Sequence, residues 1–162
     1  MSPEIADQAI IVTGAGGDIG RAISSSLFRR GARVVLTDID REKLNQTAAT
    51  LEGGPGRVLS IHGDLRVAAE MQKIVEAAYS RFPRIDGLVN NAGGVGYSNT
   101  KRLVFTLTED IWDEVFNINL RMHFFLSQAI AKRMVAGNVR GRIVNIGSNG
   151  GKTAQQGSRA RY

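Results

Sequence analysis

Short runs of β-branched and aliphatic residues alternate along the chain with longer segments whose apolar positions recur at helical spacing. Residues 9–13, 33–37, 58–62, 87–90 and 142–146 read as strands. Their near-continuous hydrophobicity is that of parallel strands buried on both faces. Between them, Ile19, Ala22, Ile23, Ser26 and Leu27 form one helical stripe, and Val67, Met71, Ile74, Val75, Ala78 and Phe82 form another. A further helix begins at Asp40, a good N-cap, and runs to about Leu51, where Gly53-Gly54-Pro55-Gly56 stops it. The last long helix starts near Thr108, with Glu109 and Asp110 at its positive end, and continues to about Met134. Strand and helix in alternation predict an α/β doubly wound parallel sheet in a single domain spanning 1–162.

Composition narrows the function classes. Of 162 residues, 43% are hydrophobic and 22% charged, enough apolar content for a sizeable core. The absence of Cys removes disulfides, thiolate metal sites and cysteine nucleophiles, and with no basic stretch leading into an apolar one at the amino terminus it points to a cytoplasmic protein. No apolar run is long enough to span a bilayer, so no membrane partner is expected. The net charge of +6 would permit nucleic-acid contact, but the basic residues are dispersed as Arg29, Arg30 and Arg33, then Lys132 and Arg133, then Arg140 and Arg142. Dispersal of this kind reads as a solvated surface, with no nucleic-acid partner.

The first strand runs directly into Thr13-Gly14-Ala15-Gly16-Gly17-Asp18-Ile19-Gly20 and then a helix. A glycine turn in that setting lets backbone N–H groups approach a phosphate, with the positive helix end aimed at it. No Lys-Ser or Lys-Thr follows, which argues against a nucleoside-triphosphate loop. Asp38 ends the second strand, where a carboxylate accepts both ribose hydroxyls of an adenosine and repels a 2′-phosphate. The pairing favours NAD over NADP.

Three further segments are more particular: Gly63-Asp64-Leu65 after the third strand, Asn90-Asn91-Ala92-Gly93 after the fourth, and Ile143-Val144-Asn145-Ile146-Gly147-Ser148 at the fifth. With the glycine turn, Asp38 and Asn119 in Asn-Ile-Asn-Leu, this ordered set resembles the short-chain dehydrogenase/reductase family from Ala9 to Tyr162. The resemblance implies a Rossmann-like sheet and hydride transfer between an alcohol and a ketone or aldehyde, with NAD as cofactor and a small-molecule alcohol or carbonyl compound as substrate. It implies that Gly14, Asp18, Ile19 and Gly20 lie at the pyrophosphate, Asp38 at the adenine ribose, Asp64 and Leu65 near the adenine ring, and Asn90, Ala92 and Gly93 beside the cofactor. Asn119, Ser148 and Tyr162 match the family's catalytic Asn, Ser and Tyr, and the long helix implies a homotetramer or dimer.

A free phenol with a pKa near 10 is ionised only about one part in a thousand at pH 7. The family motif Tyr-x-x-x-Lys lowers that value with an ammonium group, which here would fall beyond Tyr162. The segment after Ser148 is polar and Gly-rich with no closing helix, so the sheet is expected to be incomplete on its C-terminal side. The 162 residues alone are therefore expected to be weakly active or inactive, the alternative being a non-catalytic NAD-binding module. A methyltransferase using a similar loop for S-adenosylmethionine is disfavoured by the Asn90 segment and by Ser148 with Tyr162. The family usually has Gly at Asp18, where Asp is expected to be tolerated and to cap the following helix. His62 and His123 are isolated and expected to be structural, with no metal site. Phe116, Phe124 and Phe125 are expected in the core or in a subunit seam, and the loop from Gly94 to Thr106, with Tyr97, Asn99, Lys101 and Arg102, is expected to border the site.

Overall fold

The computed structural model describes residues 5–51, 56–94, 105 and 107–148. Its strands are β1 (Ala9–Thr13), β2 (Arg33–Asp38), β3 (Val58–His62), β4 (Gly87–Asn90) and β5 (Arg142–Asn145). The helices are α1 (Asp18–Arg29), α2 (Arg41–Ala49), α3 (Ala68–Arg81), α4 (Glu109–Phe116) and α5 (Met122–Ala136), with a π-helical segment Asn117–Arg121 between the last two. All strand pairs are parallel, in the order β3-β2-β1-β4-β5. Chain order reverses between β1 and β4, and the crevice above their carboxyl ends is where such sheets bind ligands.

The period of two along β1 explains both cores. Ile11 turns to one face and packs with Leu88, Ile74, Leu126 and Ile130 from β4, α3 and α5. Ile10 and Val12 turn to the other, against Val34, Leu36 and Leu44, with Ile23 and Leu27 of α1 alongside. Each fully buried Ile or Leu removes apolar surface from water worth about 1.5–3 kcal/mol, so the central strands are fixed in register from both sides. β3 and β5 are the edges and are only partly covered, unlike the expectation of strands buried on both faces. An edge strand has a neighbour on one side alone.

Two helices depart from their apolar stripes. In α1 the inward positions are Gly20 and Ser24, while Ile19 is 61% exposed. Gly20 sits so close to the Gly14 carbonyl that α1 approaches the sheet there through a residue without a side chain, and Ser24 follows it inside. Its Oγ donates to the Gly20 carbonyl at 2.7 Å, which removes the cost of burying a hydroxyl. The long helix expected from Thr108 to Met134 is interrupted by the π segment, whose wider turn is closed by the Met122 amide on the Asn117 carbonyl. At its centre the Asn119 side chain donates to the Val115 carbonyl, taking the acceptor that an uninterrupted helix would give to the Asn119 amide.

The helix starts follow the sequence more closely. Asp40 caps α2, its Oδ1 accepting the Lys43 amide at 3.1 Å, and α2 ends at Ala49. Asp18, expected to cap α1, is instead its first residue: Gly17 occupies the N-cap and no side chain caps the helix.

Candidate cofactor and catalytic site

The glycine turn leaves the carboxyl end of β1 and doubles back into α1. Gly14 has φ +62°, a backbone region that side chains rarely adopt, and a Cβ there would meet the Ala92 backbone at 2.8 Å. At Gly20 a Cβ would stand 2.1 Å from the Gly14 oxygen. The N-terminus of α1, with no side-chain cap, is left with amide N–H groups beside the turn. Glycine where the backbone must close up, next to an uncapped helix end, fits a dinucleotide pyrophosphate. Asp18 is exposed at that end and makes no hydrogen bond or ion pair among the described residues.

Asp38, at the end of β2, is held from two directions. Its Oδ2 accepts the Gly16 amide at 2.8 Å and its Oδ1 accepts the Asp40 amide at 2.9 Å. The carboxylate is thus fixed against the glycine turn. Along the same cleft, of about 230 Å³, lie Gly14, Asp38, Asp64, Leu65, Ala92 and Gly93. Leu65 is buried and supplies an apolar wall. The Arg66 guanidinium grips Asp64, with Nε at 2.9 Å from Oδ1 and Nη2 at 2.6 Å from Oδ2. That hydrogen bonding holds the Asp64 carboxyl below the usual carboxylate range, against a smaller opposing effect of burial.

A second cavity, of about 730 Å³, opens on the other side of the Ala92–Gly93 wall, and Ile19, Asn119, His123, Phe124 and Ser148 line it. Asn119 and Ser148, from the π segment and the end of β5, therefore face one space. Asn119 engages Gly94 reciprocally, accepting its N–H at 3.0 Å and donating to its carbonyl at 2.7 Å. All these contacts of Asn119 are to backbone, and they set the cavity wall.

The Asn90–Gly93 turn is held from below. Thr13 Oγ1 accepts the amides of Asn91 and Ala92, each at 2.9 Å, and Asn91 Nδ2 returns a bond to the Thr13 carbonyl. Asn90 itself is fully buried, and its Nδ2 donates to Ser127 Oγ and to Asn145 Oδ1 across the β4–β5 pair, both at 2.8 Å. Asn90 thus stands behind the turn while Asn91, Ala92 and Gly93 form the surface.

Thr13, Arg66, Ser127 and His123 also shape the site, beyond the residues that the sequence motifs mark. Arg66 had a signal in being next but one to Asp64, and His123 in lying one helical turn beyond Asn119. Burial lowers the His123 pKa, opposed by its hydrogen bond to the Ala92 carbonyl at 2.6 Å. His62 is engaged by the Ile39 carbonyl and Arg41 at the edge of the sheet. Phe116, Phe124 and Phe125 are not core residues but are 38–58% exposed, while Met122 is buried. Tyr97, Asn99, Lys101, Arg102 and Tyr162 lie outside the described residues.

A family model described as short chain dehydrogenase matches residues 8–160. The chain belongs to that family. Short-chain dehydrogenases are oxidoreductases that work with NAD or NADP. Among its relatives are a (3R)-3-hydroxyacyl-CoA dehydrogenase of Homo sapiens, 33% identical over 155 residues, and an NAD-dependent glycerol dehydrogenase of Listeria innocua, 33% identical over 144 residues. These alignments cover 91% and 89% of this chain and 58% and 54% of the two enzymes. A crystal structure of a short chain dehydrogenase from Bacillus anthracis superposes with a TM-score of 0.84 at 33% identity, covering 93% of this chain and 59% of that one. The chain thus spans little more than half the length of these three short-chain dehydrogenases. No helix among the described residues is long and apolar enough to cross a membrane.

Proposed function

We propose that the protein is an NAD-dependent oxidoreductase interconverting an alcohol and a ketone or aldehyde, with residues 1–162 forming its NAD-binding domain. The observation that carries the reading is that the cleft holding Gly14 and Asp38 and the cavity shared by Asn119 and Ser148 lie against each other, with Ala92 and Gly93 lining both. Asp38 faces the adenine ribose, where its carboxylate favours two free hydroxyls over a 2′-phosphate. Gly14, Ile19 and Gly20 admit the pyrophosphate, with Asp18 exposed beside it, and Asp64 and Leu65 bound the adenine.

NAD, when bound, supplies a nicotinamide ring that accepts hydride at C4. Ser148 hydrogen-bonds the substrate oxygen and stabilises charge as it develops there. Tyr162 takes the hydroxyl proton in oxidation and returns it in reduction. Asn119 supports relay of that proton to solvent from a position fixed by Gly94 and Val115. Phe125, exposed on α5 and outside the lining of the Ser148 cavity, supports a dimer or homotetramer, and the lack of Cys supports a cytoplasmic setting.

Titration calorimetry with NADH and NADPH, followed by alcohol oxidation read as NADH absorbance, tests the reading. NADH should bind more tightly than NADPH, and in a longer form that carries the motif's Lys, Tyr162→Phe and Ser148→Ala should keep binding while losing turnover. Turnover surviving in Tyr162→Phe rejects its acid/base role. NADH binding with no turnover even by a longer form that carries the motif's Lys selects the non-catalytic module instead, and stabilisation by S-adenosylmethionine but not NADH rejects both.

A further inference from the structure

His123 is the one titratable side chain among the described residues lining the Ser148 cavity. Its Nε2 lies 2.6 Å from the Ala92 carbonyl. A carbonyl oxygen only accepts, so Nε2 must carry the hydrogen, which assigns the tautomer.

The contact completes a three-sided clamp. The Ala92 amide is tied to Thr13 Oγ1 at the end of β1. Its carbonyl is tied to His123 on α5. Beyond it, Gly94 is tied at both its N–H and its carbonyl to Asn119 in the π segment. Ala92 and Gly93 between these anchors line both the Asp38 cleft and the Ser148 cavity, so their orientation shapes both spaces. Thr13 fixes the turn from the sheet, whereas His123 fixes it from the cavity side.

We propose that His123 is a positioning residue for the nicotinamide end of the cofactor, acting through the Ala92 carbonyl. The proposal rests on the nicotinamide-nucleotide reading of the site. Burial outweighs the opposing effect of this bond and disfavours the imidazolium, so near neutral pH the ring is neutral with its hydrogen on Nε2. Because the residue acts through Ala92 and not at the adenosine end, its loss should separate two ligands. NADH spans both spaces, while ADP-ribose ends before the nicotinamide.

The test is titration calorimetry of the unsubstituted protein, His123→Ala and His123→Gln with NADH and with ADP-ribose. Loss of one directed hydrogen bond predicts NADH binding about tenfold weaker in His123→Ala, with ADP-ribose unchanged within about twofold. His123→Gln, which keeps an N–H donor on a side chain of similar reach, should recover most of the loss. Equal NADH affinity in His123→Ala, or equal weakening of both ligands, overturns the proposal. Nitrogen NMR of the His123 ring in the unliganded, unsubstituted protein provides a readout independent of any variant's folding. A protonated Nε2 with a bare Nδ1 at pH 7 supports the proposal, and the reverse tautomer overturns it. If the unsubstituted protein binds neither NADH nor NADPH, the cofactor reading itself fails and takes the proposal with it. An unaltered affinity in the variant strikes His123 alone.

Discussion

Asn119 holds Gly94 by both of its backbone polar groups, accepting the N–H at 3.0 Å and donating to the carbonyl at 2.7 Å, while the same amide nitrogen reaches the Val115 carbonyl at 2.9 Å. One side chain therefore joins the exit of β4 to the widened turn of the long helix. A Cβ on Gly93 would stand 2.9 Å from Asn119 Oδ1, so the fit also depends on Gly93 having no side chain.

Replacing Asn119 with Ala removes three hydrogen bonds and leaves the Gly94 amide and two carbonyls to find water. At about 1 kcal/mol for each neutral bond, the loss of stability should be about 2–3 kcal/mol. Urea unfolding checks this through the transition midpoint. A loss under about 0.5 kcal/mol would mean that the Gly94 clamp is not formed in solution.

Two glycines in the phosphate turn should behave oppositely. A methyl at Gly20 would meet Gly14 oxygen at 2.1 Å and Ala15 Cα at 2.9 Å, all backbone, so α1 must move off the sheet. A methyl at Gly17 meets only the Gly14 oxygen at 3.5 Å, in ordinary contact. Gly20→Ala should cost about 2–3 kcal/mol and lower the thermal midpoint by several degrees, whereas Gly17→Ala should stay within about 1 kcal/mol. Parallel thermal melts of the two variants decide between this and a freely adjustable loop.

Much of this arrangement is legible in the sequence, and the part that is not has a common cause. Gly14, Gly20 and Asp38 are readable because a turn at the end of a parallel strand imposes residue types locally: positive φ, missing side chains, a strand-end carboxylate. The apolar runs likewise give all five strands, since burial on both sheet faces leaves β1, β2 and β4 with little polar content. Asp18 is different. Its composition suits a cap, but whether the chain enters the helix at residue 17 or 18 depends on how closely Gly20 meets Gly14, a contact fixed in three dimensions. For the same reason Ile19 reads as a core position and is exposed beside the cavity. The π segment escapes periodicity because one extra residue shifts the stripe by a fraction of a turn, and what stabilises it, the Gly94 peptide, is far away in sequence. His123 looks isolated until the turn at Ala92 is brought beside it.

Asp38 is expected to govern both the turn and the choice of nucleotide. In Asp38→Asn one of the two oxygens becomes an NH2 group, and the Gly16 and Asp40 amides both need an acceptor. One of them is left facing a donor or water, at a cost of about 1–2 kcal/mol. NADH affinity should fall about tenfold, and the preference over NADPH should narrow as the negative charge facing a 2′-phosphate is removed. Calorimetric titration with both nucleotides measures the ratio. An unchanged ratio would mean that Asp38 serves the loop alone.

The pH dependence of stability should contain two separable steps, both losses on acidification. Above the ordinary imidazole value of 6.5, His123 is neutral in folded and unfolded chains and contributes no slope. As pH falls below it, the unfolded chain takes up a proton that burial denies the folded one, so stability declines until the lowered folded value is passed. Asp64 acts further down. Its carboxylate is stabilised in the folded state by Arg66, so that contribution is complete above the ordinary value of 3.8 and is lost as pH falls through the lowered one. Differences between variant and unsubstituted protein isolate each step from the other carboxylates. In urea unfolding from pH 7 to pH 3, His123→Gln should remove the slope that begins near 6.5 and leave the acid limb alone. Arg66→Ala should flatten the acid limb and leave the slope near 6.5. If Arg66→Ala instead changed stability equally at all pH values, the guanidinium would be acting by packing and not through the Asp64 charge.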